Sequence, residues 1–77
     1  MIEEIATSMG TYHHVRVQVT GKTVRIGDVI DFGGRGFTVV YVLDFSNGTR
    51  GLRFRTGEEL FVEPDEELSA VRTIRKR

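Results

Sequence analysis

The alternation of apolar and polar residues constrains the fold of this chain more than any other feature. In the segment VRVQV, Val15, Val17 and Val19 alternate with Arg16 and Gln18. Successive side chains of a β-strand point to opposite faces, so this pattern predicts a strand with one dry face and one solvated face. From residue 15 onward the period of two dominates, and we expect strands along most of the chain.

The segment GGRGF, residues 33–37, is predicted to be the turn of a hairpin. It separates the apolar runs VIDF and FTVVYVL, and its glycines supply positive φ. A phosphate-binding loop instead needs a glycine run that ends in lysine and a hydroxyl residue at a helix start, whereas this run leads into β-branched residues. A single Gly-Arg-Gly is also too short for a flexible arginine–glycine repeat. Arg35 would then lie at the tip, exposed to a phosphate or carboxylate.

Three further turns are predicted downstream of the first strand. TGK at 20–22 turns the chain, and Asn47-Gly48 within SNGTRG is a strong hairpin signal. The third turn is a three-residue loop over 56–58, which pairs Arg55 with Glu59. That register places four apolar side chains together on the inner face, and the pairs are Phe54 with Leu60 and Leu52 with Val62.

The most apolar stretch, FTVVYVLDF at 37–45, has apolar residues on both sides of a predicted strand. Simple alternation places Phe37, Val39, Tyr41 and Leu43 inward. Val40 and Val42 then point outward, and with Phe61 they form a candidate apolar interface for a protein partner or a second copy of the chain.

The N-terminal segment, residues 1–11, is an alternative cover for that patch. Ile2, Ile5 and Met9 recur at helix-like spacing, so these residues are predicted to fold over the patch as a helix or strand, or else to be disordered. The remainder, residues 12–77, is predicted to be one small domain. Five short strands separated by glycine turns indicate an all-β fold, a small five-stranded barrel with a short N-terminal extension.

The order of these signals resembles a known architecture. The run VRIGDVIDFGGRGFTVV, residues 24–40, a later hairpin and the closing EPDEELSAVR are similar to a Src-homology-three-like barrel of the Tudor or KOW type. The likeness covers about residues 12–75 and rests on glycine and apolar spacing. It implies a fold and a habit of binding extended ligands, and it transfers no functional residue. The aromatic cage of some Tudor domains has no clear counterpart, because the only tyrosines are Tyr12 and Tyr41 and tryptophan is absent.

Composition limits the classes of function. A chain of 77 residues has a thin core with no room for a large catalytic cavity, so we expect no enzyme, no cofactor and no small-molecule substrate. Eleven basic and eleven acidic residues cancel, so a charged partner must be met by a local patch. The absence of cysteine, of a signal-peptide pattern and of a long apolar run predicts a cytoplasmic protein that does not enter the membrane.

Catalytic and metal-binding residues are not predicted. His13 and His14 are adjacent, and adjacent side chains of a strand point to opposite faces, so the pair does not grip one ion. Asp28, Asp31 and Asp44 fall at strand ends or turns, where aspartate caps backbone amides. No activated nucleophile stands beside a base.

The arginines predict the first candidate site. Strand parity places Arg16, Arg53 and Arg55 on the outer face of the sheet, with Phe61 among them, and Arg35 lies at a turn tip. Phosphates can bind the arginines there, and a base can stack on the ring. We therefore expect a non-enzymatic module that binds nucleic acid. The alternative is a protein-interaction or self-association module that uses the apolar patch and an edge strand.

Overall fold

The computed structural model describes residues 3–9 and 12–75, with side chains for 12–75. All regular structure in these ranges is β-strand. The seven strands are β1 (Glu3–Met9), β2 (Tyr12–Val19), β3 (Val29–Phe32), β4 (Arg35–Asp44), β5 (Arg50–Phe54), β6 (Glu59–Val62) and β7 (Leu68–Arg75).

The strands form an antiparallel sheet in the order β1-β2-β7-β3-β4-β5-β6. The last strand, β7, lies between β2 and β3, whereas β3 to β6 follow one another as a meander. The prediction of an all-β fold is confirmed. The closed five-stranded barrel is not confirmed, because the sheet contains seven strands and its end strands, β1 and β6, do not pair with each other within the described residues.

The core lies between two parts of this sheet that face each other. Side chains from β2, β3 and β7 meet side chains from β4, β5 and β6 in one cluster of buried residues. Its members are Val19, Val24, Ile30, Val39, Leu52, Phe54, Val62 and Ala70. A single small sheet buries its apolar face by curling over it, since no helix covers that face in the described part of the chain.

A β-bulge in β4 decides which side chains reach this core. Val39 pairs with Phe54, but the next pairing joins Tyr41 to Arg53, so Val40 is an extra residue in β4. The extra residue reverses the faces of the side chains that follow it. Val42 therefore packs against the core, while Tyr41 and Leu43 point outward.

Because of the bulge, two predictions made from the sequence are wrong. The inward position predicted for Tyr41 and Leu43 is wrong, because their exposed fractions are 54% and 46%. The outward position predicted for Val42 is also wrong, because this side chain is half-buried against the core. Val40 itself lies at the bulge and is exposed.

The hairpin turn predicted at GGRGF is confirmed. Phe32 of β3 pairs with Arg35 of β4, leaving Gly33 and Gly34 as a two-residue loop with φ of 58° and 86°. With positive φ at both central residues, the backbone twist of a two-residue loop matches the right-handed twist of the strands that it connects. The carboxylate of Asp31 accepts a hydrogen bond from the N–H of Gly34 at 2.9 Å, as expected for a turn aspartate.

The hairpin between β5 and β6 has a different register from the predicted one. The N–H of Phe54 donates to the carbonyl of Glu58 at 2.9 Å, which closes a three-residue loop over 55–57 with Gly57 at φ 96°. The loop thus begins one residue earlier than predicted, and Glu59 pairs with Arg53 rather than Arg55. A shift of two in the pairing preserves the faces, so the predicted inner side chains are still buried or half-buried; they are Leu52, Phe54, Leu60 and Val62.

Residues 3–9, part of the predicted N-terminal segment, form β1 and pair with β2. They stand at the opposite end of the strand order from β6. Ile2, which belonged to the predicted helix-like pattern, lies outside the described residues. Nowhere in residues 3–9 and 12–75 is there a helix with the length and apolarity to cross a lipid bilayer.

Candidate functional site

The outer face of β4, β5 and β6 carries a regular grid of exposed side chains. The strand pairings set Tyr41, Arg53 and Glu59 in one row. The next row contains Leu43, Gly51 and Phe61, because these residues pair across the same three strands. Phe45 follows β4 directly and lies beside the second row. We call the concave surface that these residues line the outer groove.

Gly51 forms the floor of the outer groove. Without a side chain in the middle of its row, it leaves space that the rings of Phe45 and Phe61 partly cover. A Cβ built on Gly51 lies 3.3 Å from Cε2 of Phe45 and 3.4 Å from Cε1 of Phe61. The two ring centroids are 5.7 Å apart, with the planes tilted by 54°. The groove is therefore lined by aromatic surface down to the backbone.

The outer groove exposes more apolar surface than a single scattered side chain would. The exposed fraction is 60% for Phe61, 54% for Tyr41, 46% for Leu43 and 40% for Phe45. Two adjoining concavities, of about 180 and 480 Å³, share Phe45 and Phe61 in their walls. A contiguous exposed apolar surface of this kind marks an interaction site more often than an inert face.

Arg53 in the groove wall and Arg50, on the opposite face of β5, both form ion pairs. Nη2 of Arg53 donates to Oε2 of Glu59 at 3.0 Å, with both side chains more than half exposed. Nε of Arg50 donates to Oδ1 of Asp44 at 2.7 Å, and its Nη1 donates to the carbonyl of Val24 at 3.2 Å. The guanidinium group in the groove wall, that of Arg53, thus already has an acidic partner.

Acidic residues dominate the β6 side of the groove. The segment from 58 to 67, EELFVEPDEE, contains six acidic residues and neither lysine nor arginine. Glu63 lies beside Phe45 and Phe61, and its Oε1 accepts a hydrogen bond from the hydroxyl of Thr49 at 3.1 Å. The electrostatic potential at this edge is therefore negative, and it favours cationic over anionic ligands.

The structure separates the predicted nucleic-acid residues. Arg53 and Phe61 line the outer groove together. Arg16, on β2, lines a different concavity with Asp31, and the two concavities share no residue. Arg55 lies in the loop after β5, where its N–H donates to the carbonyl of Thr38 at 2.9 Å.

Arg35 belongs to a separate aromatic cluster at the hairpin end of the sheet. Its guanidinium carbon lies 5.4 Å from the ring centroid of Phe37. Phe37 packs against Phe32 and Phe54, with centroid separations of 5.6 to 6.1 Å among the three rings. The three rings pack on one another, and Phe54 is buried, so the cluster extends the core; Phe32 is exposed and Phe37 is half-buried.

The apolar site in the structure differs from the one predicted at Val40, Val42 and Phe61. Phe61 is exposed, as expected, but Val42 packs against the core. The residues that sequence reasoning missed are Tyr41, Leu43 and Phe45. In VVYVLDF no polar residue interrupts the apolar run before its end, so alternation does not mark the faces, and the bulge that exposes these side chains has no signature in the sequence.

The polar groups considered for chemistry have structural roles. The hydroxyl of Thr73 lies 3.2 Å from Nδ1 of His14 on the neighbouring strand. Asp28 is buried in an ion pair with Arg72 at 2.9 Å, and it caps the N–H of Arg25 at 2.9 Å. The part of the chain with described side chains holds no group of three or more His, Cys, Asp or Glu positioned for a metal ion.

Comparison with known proteins adds no relative. No protein-family model matches this chain, and neither a curated protein nor a solved structure is significantly similar to it.

Proposed function

We propose that this chain is a non-enzymatic binding module and that its ligand, a segment of another protein, binds in the outer groove. The observation that carries the proposal is the exposure of Phe61 beside Phe45 and Tyr41 over the bare backbone of Gly51. Aromatic side chains that meet in a partly desolvated hollow supply most of the affinity in many protein interfaces.

Charge favours a protein segment over nucleic acid at this groove. Phosphates would approach Glu59 and Glu63, and the one arginine in the groove wall, Arg53, is paired with Glu59. A nucleic acid gains its affinity from unpaired cations that replace counterions along its backbone. A polypeptide needs no such surplus of positive charge and can place apolar side chains on Phe61 and Phe45.

The more specific likeness to a Src-homology-three-like barrel of the Tudor or KOW type stays a prediction. Its support is the short strands, the glycine turns and the antiparallel order of β3 to β6. Such folds serve many unrelated functions, so the proposed binding role depends on the groove and not on the likeness.

A random-peptide display selection on the full chain tests the proposal. Selected peptides are synthesised and titrated into the wild type, Phe61→Ser and Ile26→Ser. Ile26 is the matched control, because its side chain is 62% exposed but lies in the loop before β3, outside the groove. We expect Phe61→Ser to weaken binding by at least about tenfold and Ile26→Ser to leave it unchanged.

Three results would overturn the proposal. They are a selection that yields no binding peptide, equal affinity for wild type and Phe61→Ser, and a loss of binding in Ile26→Ser as large as in Phe61→Ser. Thermal unfolding of both variants accompanies the titrations. Because both side chains are more than half exposed, we expect each variant to remain folded.

Nucleic acid remains a second candidate ligand, at a different place. Arg35 and Arg55 both lie at the end of the sheet where the β3–β4 and β5–β6 loops occur, and both are exposed. No described side chain forms an ion pair with either of them. For this candidate, mixed-sequence oligonucleotides should bind more weakly to Arg35→Ala and Arg55→Ala but equally to Phe61→Ser. An absence of oligonucleotide binding by the wild type at low salt would eliminate it.

A further inference from the structure

We infer that the partner segment adds to β6 as an extra strand and carries the residue order basic, apolar, aromatic, apolar, basic. The inference rests on the proposed function, since it concerns the same groove. It specifies the chemistry and the backbone conformation of the ligand, which the exposure of the groove alone does not.

The first support is the edge of the sheet. β6 stands last in the strand order, and among the described residues its only partner strand is β5. Strand edges present unpaired N–H and C=O groups, and an extended segment of another chain readily pairs with them. Because Phe61 is itself a residue of β6, a segment that pairs there lies directly beside the outer groove.

The second support is the order of side chains along β6. Glu59 and Phe61 point to the outer face, and Glu63 follows beside Phe61. Leu60 and Val62 point to the core. Residues directly opposite each other on paired strands share a face and are close enough to interact. Cationic residues are therefore favoured opposite the two glutamates, of which Glu59 shares its carboxylate with Arg53. An aromatic residue is favoured opposite Phe61, and apolar residues are favoured opposite the two core-facing positions.

Because successive side chains of a strand alternate between its two faces, β6 should discriminate between peptides with this residue order and peptides shifted by one residue. A slip of one residue would move the cationic side chains of the added strand to the face of Leu60 and Val62, which pack in or against the core and have Glu58 as the carboxylate beside Leu60. The preferred order reads the same in both directions, so it suits a parallel or an antiparallel addition. The sequence Lys-Val-Phe-Val-Lys satisfies it.

Charge also argues against a second copy of β6 as the occupant. A symmetric antiparallel pair centred on Phe61 would set Glu59 opposite Glu63 of the other copy, and like charges directly opposite each other destabilise a sheet. This pairing sets the two glutamates against each other twice, once on each side of the twofold axis. A basic extended segment instead complements them.

Titration of three synthetic peptides into the full chain, followed by amide chemical shifts, tests the inference. The first contains Lys-Val-Phe-Val-Lys, the second replaces both lysines by glutamate, and the third keeps the five side chains but carries N-methyl groups on the backbone amides of Val, Phe and Val. We expect the first to bind with shifts centred on β6 and with lower affinity at high salt. The glutamate peptide should bind at least about tenfold more weakly, and the N-methylated peptide, which lacks the central backbone donors to β6 in either strand direction, should not bind.

Variants of the chain provide the matched control. Glu59→Gln and Gln18→Lys each raise the net charge by one, but only the first removes a carboxylate beside β6, since Gln18 lies on β2. We expect Glu59→Gln to weaken binding of the lysine peptide by about twofold to fivefold and Gln18→Lys to have no effect.

Specific results would overturn the inference while the proposed function survives. If the displayed peptides bind through Phe61 but are acidic, or bind equally well after N-methylation of the central backbone amides, strand addition of a basic segment is wrong. Shifts centred away from β6, or equal affinity for the lysine and glutamate peptides, would also refute it. If no peptide depends on Phe61, the proposed function fails as well.

Discussion

Arg72 donates two parallel hydrogen bonds to the buried carboxylate of Asp28, from Nε to Oδ1 and from Nη2 to Oδ2, each 2.9 Å long. The same Nη2 donates to the carbonyl of Thr23 at 2.9 Å. Asp28 in turn accepts the N–H of Arg25. Strand β7 is thereby tied to the loop that precedes β3, across 44 residues of sequence.

Removal of Arg72 should destabilise the protein strongly. In Arg72→Met the carboxylate of Asp28, whose side chain is only 2% exposed, loses its cation. An unpaired buried charge costs about 3–5 kcal/mol of folding free energy. Arg53→Met is the control, because that ion pair is exposed and should contribute about 0–1 kcal/mol. Urea unfolding of both variants measures the difference, and equal costs would show that the Asp28 pair is not a structural tie.

The contribution of Arg72 should not change in mildly alkaline solution. The hydrogen bonds to Asp28 hold the pKa of the Arg72 guanidinium above its ordinary value, although burial opposes them. A cation whose folded pKa is raised contributes stability that is present below its unfolded pKa and is lost only as pH rises through the folded pKa. The unfolding free energies of wild type and Arg72→Met should therefore differ by the same amount at about pH 7 and about pH 10. A difference that shrinks over that range would contradict the assignment.

Gly21 and Gly51 should respond differently to a methyl group. A Cβ on Gly21 would clash with the carbonyl oxygen of Glu63, a backbone atom, so Gly21→Ala requires the chain after β6 to move. We expect a loss of about 1–3 kcal/mol or more, as for overpacked cores. In Gly51→Ala the nearest atoms belong to two ring tips that can shift by a few tenths of an ångström. This variant should lose less than about 1 kcal/mol, and chemical denaturation that ranks the two in reverse would refute the close approach of Gly21 to Glu63.

The same substitution at Val42 and at Val40 should have different effects on stability, because Val42 packs against the core and Val40 is exposed. Val42→Asp places a carboxylate against the core and should unfold the protein or cost about 3 kcal/mol or more. Val40→Asp acts at an exposed bulge position and should cost about 1 kcal/mol or less. Circular dichroism with thermal unfolding distinguishes them. Similar stabilities would mean that the bulge does not turn Val42 inward.

The turns and the inner face of the β5–β6 hairpin were predictable because both depend on local rules. Gly33 and Gly34 supply the positive φ of a two-residue loop, and pairing Leu52 with Val62 predicts the correct face even though the register is off by two residues. A period-two pattern is insensitive to an even shift. The position of the three-residue loop depends instead on which loop residue must adopt positive φ. Gly57 does so at the last loop position, whereas the predicted loop over 56–58 placed it in the middle.

The candidate site was predictable only in part. Phe61 stands out as an exposed aromatic residue in an alternating strand, and the structure exposes it. Alternation alone assigns Tyr41 and Leu43 to the core, because an uninterrupted apolar run contains no polar residue to mark its outer face. The ion pair of Asp28 with Arg72 was not predictable from the sequence either. Asp28 caps a nearby backbone N–H, as a turn aspartate is expected to do, and this local role does not indicate a distant cation.

By itself the sequence determined the all-β class, the positions of the glycine turns and most of the apolar residues that fill the core, because these follow from side-chain periodicity and backbone freedom within a few residues. The tertiary structure decided which aromatic residues form a surface, because the single extra residue at Val40 reverses the faces of the rest of β4. It also decided that this surface borders an acidic strand edge, because the neighbours of β6 are set by the pairing of the whole sheet.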